Sequence, residues 1–306
     1  MSGAALACGY AADIAFGDPR RWHPVAGFGR LATAAERRSY APTRARGAAY
    51  AASLVAFAAL AAELAARLAD RRGLGHTVAF AAVTWAALGG RSLVSEARGL
   101  AAQVDSGDLE VARRALPALC GRDPEALDAD GLCRAVVESV AENTADAVVG
   151  PLFWGAVAGP AGVAGYRAAN TLDAMVGHRS ERYAAFGWTA ARLDDVLNWP
   201  VARVSALLAA ACAPLVAGSP RQALRTVRLD GPAHPSPNAG HIEAAFAGAL
   251  GVRVGGPLTY AGRVEGRPTL GTGRVPGTED VRRAARLSVA VGACAAALCA
   301  LARSAR

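Results

Sequence analysis

The stretch AVVESVAENTADAVVGPLFWGAVAGPAGVAGYRAANTLDAM, residues Ala135–Met175, places carboxylates on both sides of an apolar segment rich in glycine. More acids follow in ARLDDVLNW, where Asp194 and Asp195 are adjacent. An unpaired carboxylate in apolar surroundings is costly, so such a concentration of acids needs a compensating partner. The usual partners are a cation, a phosphate-bearing ligand held through a metal ion, or the groups of a proton relay.

The apolar segment itself is unsuited to one straight helix. Residues 150–165 contain several glycines as well as Pro151 and Pro160, and such interruptions are typical of a broken or re-entrant segment that lines a cavity. If residues 147–166 crossed a membrane fully, the acids before and after them would lie on opposite sides. A re-entrant hairpin would bring the acids together, and we favour the hairpin.

Hydropathy predicts the fold class. A bilayer core of about 30 Å requires roughly 20 helical residues, and candidate spans lie near residues 1–16, 48–68, 76–89, 147–166, 201–217 and 284–302. Any one of them could instead be a buried core helix, because alanine contributes little insertion energy. Several in one chain predict an all-α, polytopic helical membrane protein with broken or re-entrant helices, forming a single domain over residues 1–306.

The region 218–277 is polar and rich in glycine and proline. We predict that it forms a small cytoplasmic segment with one helix at His241–Leu250. Leu258–Leu270 has the rhythm of a β-hairpin that turns around Glu265-Gly266. At the other end, Met1–Phe16 lacks a basic leader and carries Asp13, which is not typical of a cleaved signal peptide.

The charge pattern excludes some chemistry. The formal net charge is +8, and every basic side chain other than histidine is arginine. Without lysine the chain has no Walker-A phosphate loop and no Schiff-base amine. Arginines concentrate between Arg20 and Arg46, as expected for a loop at a cytoplasmic membrane face. A nucleic-acid surface is the rival explanation, but no recognition motif accompanies the charge, so we expect no nucleic-acid partner.

The six cysteines, which are Cys8, Cys120, Cys133, Cys212, Cys294 and Cys299, show no CxxC spacing. Neither a zinc site nor a disulfide framework is indicated. We expect them to be small core residues in a reducing compartment.

Three acids could share one helix face. Glu138, Glu142 and Asp146 fall at i, i+4 and i+8, within an arc of about 80° on an α-helix. The alternative is an ordinary solvated helix face. Because an apolar run follows directly, we consider a cation or arginine opposite these acids the better explanation.

Two further clusters pair acids with amides. Asn170 precedes Asp173 by about one helical turn, with Arg179 and Arg182 in the loop that follows. Asp194 shares a helix face with Asn198, whereas Asp195 points about 100° away. Such groups could hold magnesium through the acids and phosphate through the arginines. Ordinary helix capping and helix-dipole pairing are the alternatives.

Two loops could contact a ligand. Ser236 and Asn238 precede the helix that begins near His241, where free N–H groups form an anion site or the side chains simply cap the helix. Asp18 and His23 lie in a tight turn beside the first apolar segment. A lone histidine there is more often a structural hydrogen-bonding group than a ligand.

Taken together, these motifs closely resemble the adenosylcobinamide-phosphate synthase family of cobalamin biosynthesis, the CobD/CbiB family. The matching pieces are GDPRRWHPV at Gly17–Val25, GRDPEALD at Gly121–Asp128, AVVESVAENTADAVVGPLF at Ala135–Phe153, YRAANTLDAMVGHRSERYAAFGWTAARLDDVLNWPVAR at Tyr166–Arg203 and SPNAGHIEAAFAGALGVRVGG at Ser236–Gly256. They cover nearly the whole chain in consistent order, and the central block is long and unusual.

The resemblance implies a multi-pass enzyme of the cell (inner, cytoplasmic) membrane whose active face is cytoplasmic. It would join a carboxylate of adenosylcobyric acid to the amine of aminopropanol or its O-phosphate, with ATP as co-substrate and Mg²⁺ as cofactor. A carboxylate is a poor acyl donor, so its phosphorylation would supply a leaving group. A general base would deprotonate the amine. The resemblance leaves open a homo-oligomer or a complex with other proteins of the pathway.

On this basis we assign roles to the polar residues. The predicted catalytic residues are Glu138, Glu142, Asp173, Asp194 and Asp195, and the predicted metal ligands are Asp146, Asp173, Asp194 and Asp195. The predicted substrate- or phosphate-binding residues are Asp18, His23, Asn143, Arg167, Asn170, Arg179, Arg192, Asn198, Ser236 and Asn238.

This chain departs from the family at two positions. Arg167 and Arg179 stand where the family often has lysine, so charge is retained but a proton-donating or nucleophilic amine is not. We therefore expect electrostatic binding there. A transporter that uses buried acids for ion coupling is the alternative from another class, and a structural component that binds corrinoid without turnover is a third.

Overall fold

The chain is almost entirely helical. A computed structural model describes residues 2–18, 23–71, 75–121, 124–125, 127–178, 180–260 and 263–305. The helices are α1 (Ser2–Phe16), α2 (Pro24–Ser39), α3 (Arg44–Arg71), α4 (His76–Ala87), α5 (Gly90–Asp105), α6 (Leu109–Ala115), α7 (Ala129–Thr144), α8 (Gly150–Leu172), α9 (Tyr183–Phe186), α10 (Trp188–Cys212), α11 (Pro220–Asp230), α12 (Ala239–Leu250) and α13 (Thr278–Ser304). Two π-helical segments, Ala145–Val149 and Asp173–Gly177, flank α8.

Much of the helical structure consists of candidate membrane spans. Among the described residues, five helical segments are long and apolar enough to cross a membrane: Arg44–Arg71, His76–Asp105, Ala129–Gly177, Trp188–Val216 and Thr278–Ser304. The apolar helix Gly3–Phe16 is shorter. Side chains such as Leu60 and Leu64 of α3 lie exposed on its surface, as lipid-facing residues do. The prediction of an all-α, polytopic helical membrane protein is confirmed.

The chain forms two compact units. The first contains Met1–Gly89, Asp146–Asn198 and Ala295–Arg306, and the second contains Gly90–Ala145 and Trp199–Cys294. That both units act as one enzyme domain stays a prediction.

Helix α8 in the first unit is broken in its middle. Ala158 and Gly159 have non-helical backbone angles, and Gly159 has a φ of 64°, a left-handed conformation that suits glycine. Pro160 follows and begins the second half. The interruption predicted from the glycines and prolines of this segment is therefore confirmed at a specific dipeptide.

The two halves of α8 fold back on each other. A Cβ built on Gly150 would lie 2.2 Å from the ring of Tyr166, and one on Gly162 would lie 2.1 Å from the carbonyl oxygen of Trp154. In a continuous helix Gly150 and Tyr166 would be about 24 Å apart, at 1.5 Å per residue. The segment is thus a helical hairpin whose ends meet, as the re-entrant interpretation predicted, and its missing glycine side chains permit the close approach.

The break is secured by an arginine from α13. Nη1 of Arg303 donates to the carbonyl oxygens of Ala156 and Val157, at 3.3 Å each. These carbonyls end the first half-helix, where the helical pattern leaves acceptors without an N–H. A Cβ on Gly159 would lie 3.0 Å from Nη2 of Arg303, so the turn combines a positive φ with a close contact.

In the second unit, α12 is almost wholly buried and packs against α7 and α11. A Cβ on Gly248 would lie 2.7 Å from the backbone of Ala223, so the bare glycine lets α11 and α12 approach closely. The predicted helix at His241–Leu250 is confirmed, with a start two residues earlier. Helix α11 was not predicted.

The hairpin of the second unit turns at a different place from the one predicted. Strands β1 (Val254–Tyr260) and β2 (Arg263–Leu270) pair antiparallel, with an irregularity between Gly255 and Pro257. Glu265 pairs with Leu258 within the ladder, so the prediction of a turn around Glu265-Gly266 is wrong. Period-two alternation locates a strand but does not by itself locate its end.

The cysteines all have free thiols. Cys133 and Cys212 are buried as expected, whereas Cys8 and Cys294 are exposed, so the prediction that they are core residues is wrong for those two. An exposed position on an apolar helix still suits a small hydrophobic side chain.

Candidate active site

Two carboxylates meet at one amide in the first unit. Nδ2 of Asn170 lies 3.2 Å from Oδ2 of Asp146 and 3.2 Å from Oδ1 of Asp194. Asp146 comes from the π-helical segment before the α8 hairpin, and Asn170 from the last turn of α8 itself. The hairpin therefore brings together groups that are 24 residues apart, and α10 adds Asp194.

The orientation of the Asn170 amide follows from its neighbours. Nη1 of Arg167 donates to Oδ1 of Asn170 at 3.1 Å, which leaves both N–H bonds of Nδ2 for the carboxylates. An arginine guanidinium and two carboxylates are thus connected through one side chain.

The network continues to Tyr166. Nδ2 of Asn198 donates to Oδ2 of Asp194 at 3.0 Å, and the Tyr166 hydroxyl donates to Oδ1 of Asn198 at 2.7 Å. Tyr166 and Asn198 are only 2% and 3% exposed. Asn198 was predicted from the sequence as a site residue, but Tyr166 was not. Its position next to Arg167 in the YRAAN motif was the available signal, since a buried tyrosine hydroxyl usually has a partner.

Asp173 and Asp195 lie near this network but have other neighbours. Asp173 opens the second π-helical segment, and a Cβ on Gly177 would lie 1.8 Å from its Oδ1, so a larger residue at position 177 would displace the Asp173 carboxylate. Asp195 forms an ion pair with Nη1 of Arg192 at 3.4 Å. The predicted phosphate ligand Arg179 lies outside the described residues.

The loop after Asp173 is tethered to α2, a contact that the sequence analysis did not find. Oε1 of Glu36 accepts hydrogen bonds from Nη2 of Arg182 and from the hydroxyl of Tyr183, both at 2.9 Å. Glu36 is buried, and its hydrogen bond raises the pKa of Arg182 above the ordinary arginine value. This ion pair holds the loop that follows Asp173 against α2.

The acids of α7 lie in the second unit. Glu138 is 2% exposed and its Oε1 accepts a 2.7 Å hydrogen bond from the backbone N–H of Gly255, whereas Glu142 is exposed. Asn143 donates to the carbonyl oxygen and hydroxyl of Ser139 on its own helix. The equal spacing of the three acids assumed one α-helix, but Asp146 lies in the π-helical segment that follows α7. Glu138 thus has a structural partner that its spacing did not reveal.

The two predicted loops are held by local hydrogen bonds. Nδ1 of His23 accepts from the N–H of Val25 and caps α2, the structural role given as the alternative. Oδ1 of Asp18 is buried and has no hydrogen-bond partner within the described ranges. Ser236 Oγ accepts from the N–H groups of Asn238 and Ala239 at the start of α12, so capping operates here as well.

The start of α12 also contains a charged group. Nη1 of Arg203 donates to Oδ1 of Asn238 at 2.9 Å, and its guanidinium lies 4.6 Å from the ring centre of Trp199. Burial, and then the charge of Arg203, lower the pKa of His241 below the ordinary histidine value. This second polar cluster lies in the second unit, whereas the Asp146–Asn170–Asp194 network lies in the first.

The number of side chains available as ligands decides how a metal ion could bind. In the part of the chain that the structure describes, no group of three or more His, Cys, Asp or Glu side chains could hold a metal ion alone. Asp146 and Asp194 offer two carboxylates. Magnesium is commonly bound by one or two carboxylates together with the phosphates of a substrate, rather than by a cage of protein ligands.

Comparisons with known proteins agree with one another. A family model described as "CobD/Cbib protein" matches residues 6–288. A protein of Mycobacterium tuberculosis strain H37Rv named "Cobalamin biosynthesis protein CobD" is 53% identical over 286 residues, covering 94% of this chain and 91% of that protein. A Chromobacterium violaceum protein of the same name is 45% identical over 284 residues, covering 90% and 88%. No solved structure matches the chain.

Proposed function

The chain belongs to the CobD/CbiB family, and on that premise we propose that it acts in cobalamin biosynthesis as an adenosylcobinamide-phosphate synthase. The reaction is the ATP-dependent formation of an amide between a carboxylate of adenosylcobyric acid and the amine of aminopropanol or its O-phosphate. The enzyme lies in the cell membrane with its active face toward the cytoplasm, which the arginine-rich region 20–46 supports.

One observation carries the proposal. The Asn170 amide holds Asp146 and Asp194 within hydrogen-bond distance of a single nitrogen, so two carboxylates converge beside the α8 hairpin of an apolar protein. Like charges so close are unfavourable unless a cation or donor compensates them. An arrangement of this kind is suited to a magnesium–phosphate ligand.

The residues present fit magnesium. Asp146 and Asp194 would hold it through hard oxygen donors, and the phosphates of ATP would complete its coordination. When bound, Mg²⁺ would neutralise phosphate charge and stabilise the charge that develops during phosphoryl transfer.

The arginines would provide positive charge for the phosphates. Arg167 supports the Asn170 amide and offers its positive charge beside the carboxylates. Arg192 is 59% exposed at its side chain and is paired only loosely with Asp195. Exposed pairs of this kind contribute about 0–1 kcal/mol, so Arg192 can leave Asp195 and bind a phosphate at little cost.

Purified protein in nanodiscs tests the proposal directly. It would receive adenosylcobyric acid, aminopropanol O-phosphate or aminopropanol, ATP and Mg²⁺, with the amide product followed by mass spectrometry. We expect a product that requires both ATP and Mg²⁺ and is lost in Asp194→Asn. Glu63→Gln is the matched control, because Glu63 lies on α3 and pairs with Arg67 of the same helix. Product formation at the wild-type rate in Asp194→Asn would overturn the site assignment.

The helical hairpin also supports a second candidate. Broken helices that present polar groups within the membrane are typical of transporters that couple to ions. The same protein in proteoliposomes distinguishes the two: uptake of a corrinoid without ATP consumption or amide formation would favour the transporter.

A further inference from the structure

The first unit contains a cavity that the proposed reaction does not use. It has a volume of about 560 Å³ and lies between α2, α3, α4 and the second half of α8. Each of the four helices contributes lining residues, for example Phe28 of α2, Ala61 of α3, Ala86 of α4 and Ala164 of α8. The size is in the range of small-molecule sites.

The cavity opens on an apolar surface. Two of its lining residues, Leu31 and Phe57, are 42% and 56% exposed. Beside them on α3, Leu60 and Leu64 are also exposed, and α3 is one of the helices able to cross a membrane. If α3 crosses the membrane, this opening faces the hydrocarbon phase, from which an occupant would enter.

One charged side chain lies in the wall. Among the lining residues only Arg167 carries a charge. Its Nη1 is used by Asn170, but its Nε is buried and has no hydrogen-bond partner among the described residues. A buried donor without an acceptor is unfavourable, and an anionic group in the cavity would relieve it.

A second arginine lies at the rim. Nη2 of Arg30 lies 3.9 Å from the Cβ position of Gly27, which lines the cavity. Arg30 is exposed and makes no hydrogen bond or ion pair within the described ranges. Arg167 in the wall and Arg30 beside Gly27 therefore bring two positive charges to an otherwise apolar cavity. Positive charge next to an apolar surface is typical of sites for anionic lipid headgroups.

We propose that this cavity binds an anionic phospholipid, with an acyl chain between α2, α3 and α4 and the phosphate near Arg167 and Arg30. The apolar walls favour an acyl chain over a nucleotide, because reading a base edge requires polar groups that the wall does not offer. Arg167 is shared with the network proposed for amide synthesis, but the lipid measurement below requires no turnover and therefore tests the cavity separately.

Native mass spectrometry of protein released from nanodiscs tests the site. The nanodiscs would contain equal amounts of dioleoylphosphatidylglycerol and dioleoylphosphatidylcholine. We expect about a tenfold preference for retained phosphatidylglycerol, since each interfacial arginine favours anionic lipid by a comparable factor. Arg30→Gln should reduce that preference.

A matched pair of variants on α3 separates the cavity from the general surface. Ala61→Trp fills the cavity and should abolish the retained phosphatidylglycerol. Ala65→Trp, one turn away on the same helix and not in the wall, should retain it. Equal retention of the two lipids, or retention by Ala61→Trp, would overturn the proposal. Displacement of the lipid by aminopropanol O-phosphate would also overturn it and assign the cavity to substrate.

Discussion

The hydroxyl of Tyr166 donates a 2.7 Å hydrogen bond to Oδ1 of Asn198. This contact decides which end of the Asn198 amide faces Asp194, because an amide whose oxygen is taken must present its nitrogen. Nδ2 then donates to Asp194 at 3.0 Å. A buried tyrosine that touches neither carboxylate therefore positions one of them.

Removal of this hydroxyl should impair turnover more than folding. In Tyr166→Phe we expect amide formation to fall about tenfold, with a loss of about 1 kcal/mol in the free energy of unfolding from the lost hydrogen bond. Tyr50→Phe is the control, because its hydroxyl donates to the Ala32 carbonyl away from the network. Steady-state rates and thermal unfolding in detergent measure both effects. Equal rates for the two variants would contradict a positioning role for Tyr166.

Asn170 should be more sensitive still. Asn170→Ala removes the donor that Asp146 and Asp194 share, so the repulsion between the two carboxylates is compensated less. We expect turnover to fall about a hundredfold, as for other groups that hold charge in an active site. Asn143→Ala, whose amide contacts Ser139 on its own helix, should retain most of the activity. The reverse order would place the site elsewhere.

The break in α8 should be sensitive to any side chain. Gly159→Ala puts a Cβ on a residue with φ of 64° and about 3 Å from Arg303, and we expect a loss of about 1–3 kcal/mol in stability. Gly99→Ala in α5 meets nothing within 4 Å and should be neutral or stabilising by about 1 kcal/mol. The two melting temperatures would be compared in one detergent. A Gly159→Ala protein as stable as wild type would show that the turn is not strained by a side chain.

Glu138 should behave as a structural acceptor. Glu138→Gln keeps an oxygen for the N–H of Gly255, whereas Glu138→Ala leaves that buried donor without a partner. We expect the alanine variant to lose about 2 kcal/mol of stability and the glutamine variant much less. Chemical unfolding of both proteins measures the difference. Loss of activity in a fully stable Glu138→Gln protein would instead support the catalytic role that the sequence suggested.

His241 should make stability depend on pH. Its pKa is lowered in the folded chain by burial and by Arg203, so the unfolded chain binds a proton at a higher pH than the folded one. Stability is then fully present above the ordinary histidine pKa of about 6.5 and falls as pH decreases toward the folded pKa. Melting temperatures at pH 7.5 and 5.5 should differ less in His241→Gln than in wild type. An unchanged difference would mean that other groups cause the acid sensitivity.

The sequence predicted the parts of the fold that depend on hydropathy and on chain breaks. The glycines and prolines of residues 150–165 were sufficient to propose a hairpin that brings together the acids on either side of it. The hydrogen bond between Asn170 and Asp146 was not predicted. Helix α11 was missed because PRQALRTVRLD is amphipathic and rich in arginine, although Ser219 before Pro220 is a helix-start signal. Hydropathy finds spans better than it finds surface helices.

The residues of the network were predicted, but the assignment of the acids to one cluster was not correct for Glu138. Asp146, Asn170, Asp194 and Asn198 were named and do meet, yet Glu138 was grouped with them on spacing alone. Its partner, Gly255, lies 117 residues away, and no local pattern encodes such a contact. Tyr166 was missed because a tyrosine in an apolar run is usually a packing residue, and its role depends on which amide its hydroxyl meets.

The α8 hairpin also has a consequence for membrane topology. Because Gly150 and Tyr166 lie side by side, the chain leaves this segment at the end where it entered. If the hairpin lies within the membrane, it adds nothing to the parity of membrane crossings. A topology that counts residues 147–166 as one crossing would then invert the sidedness of every later loop.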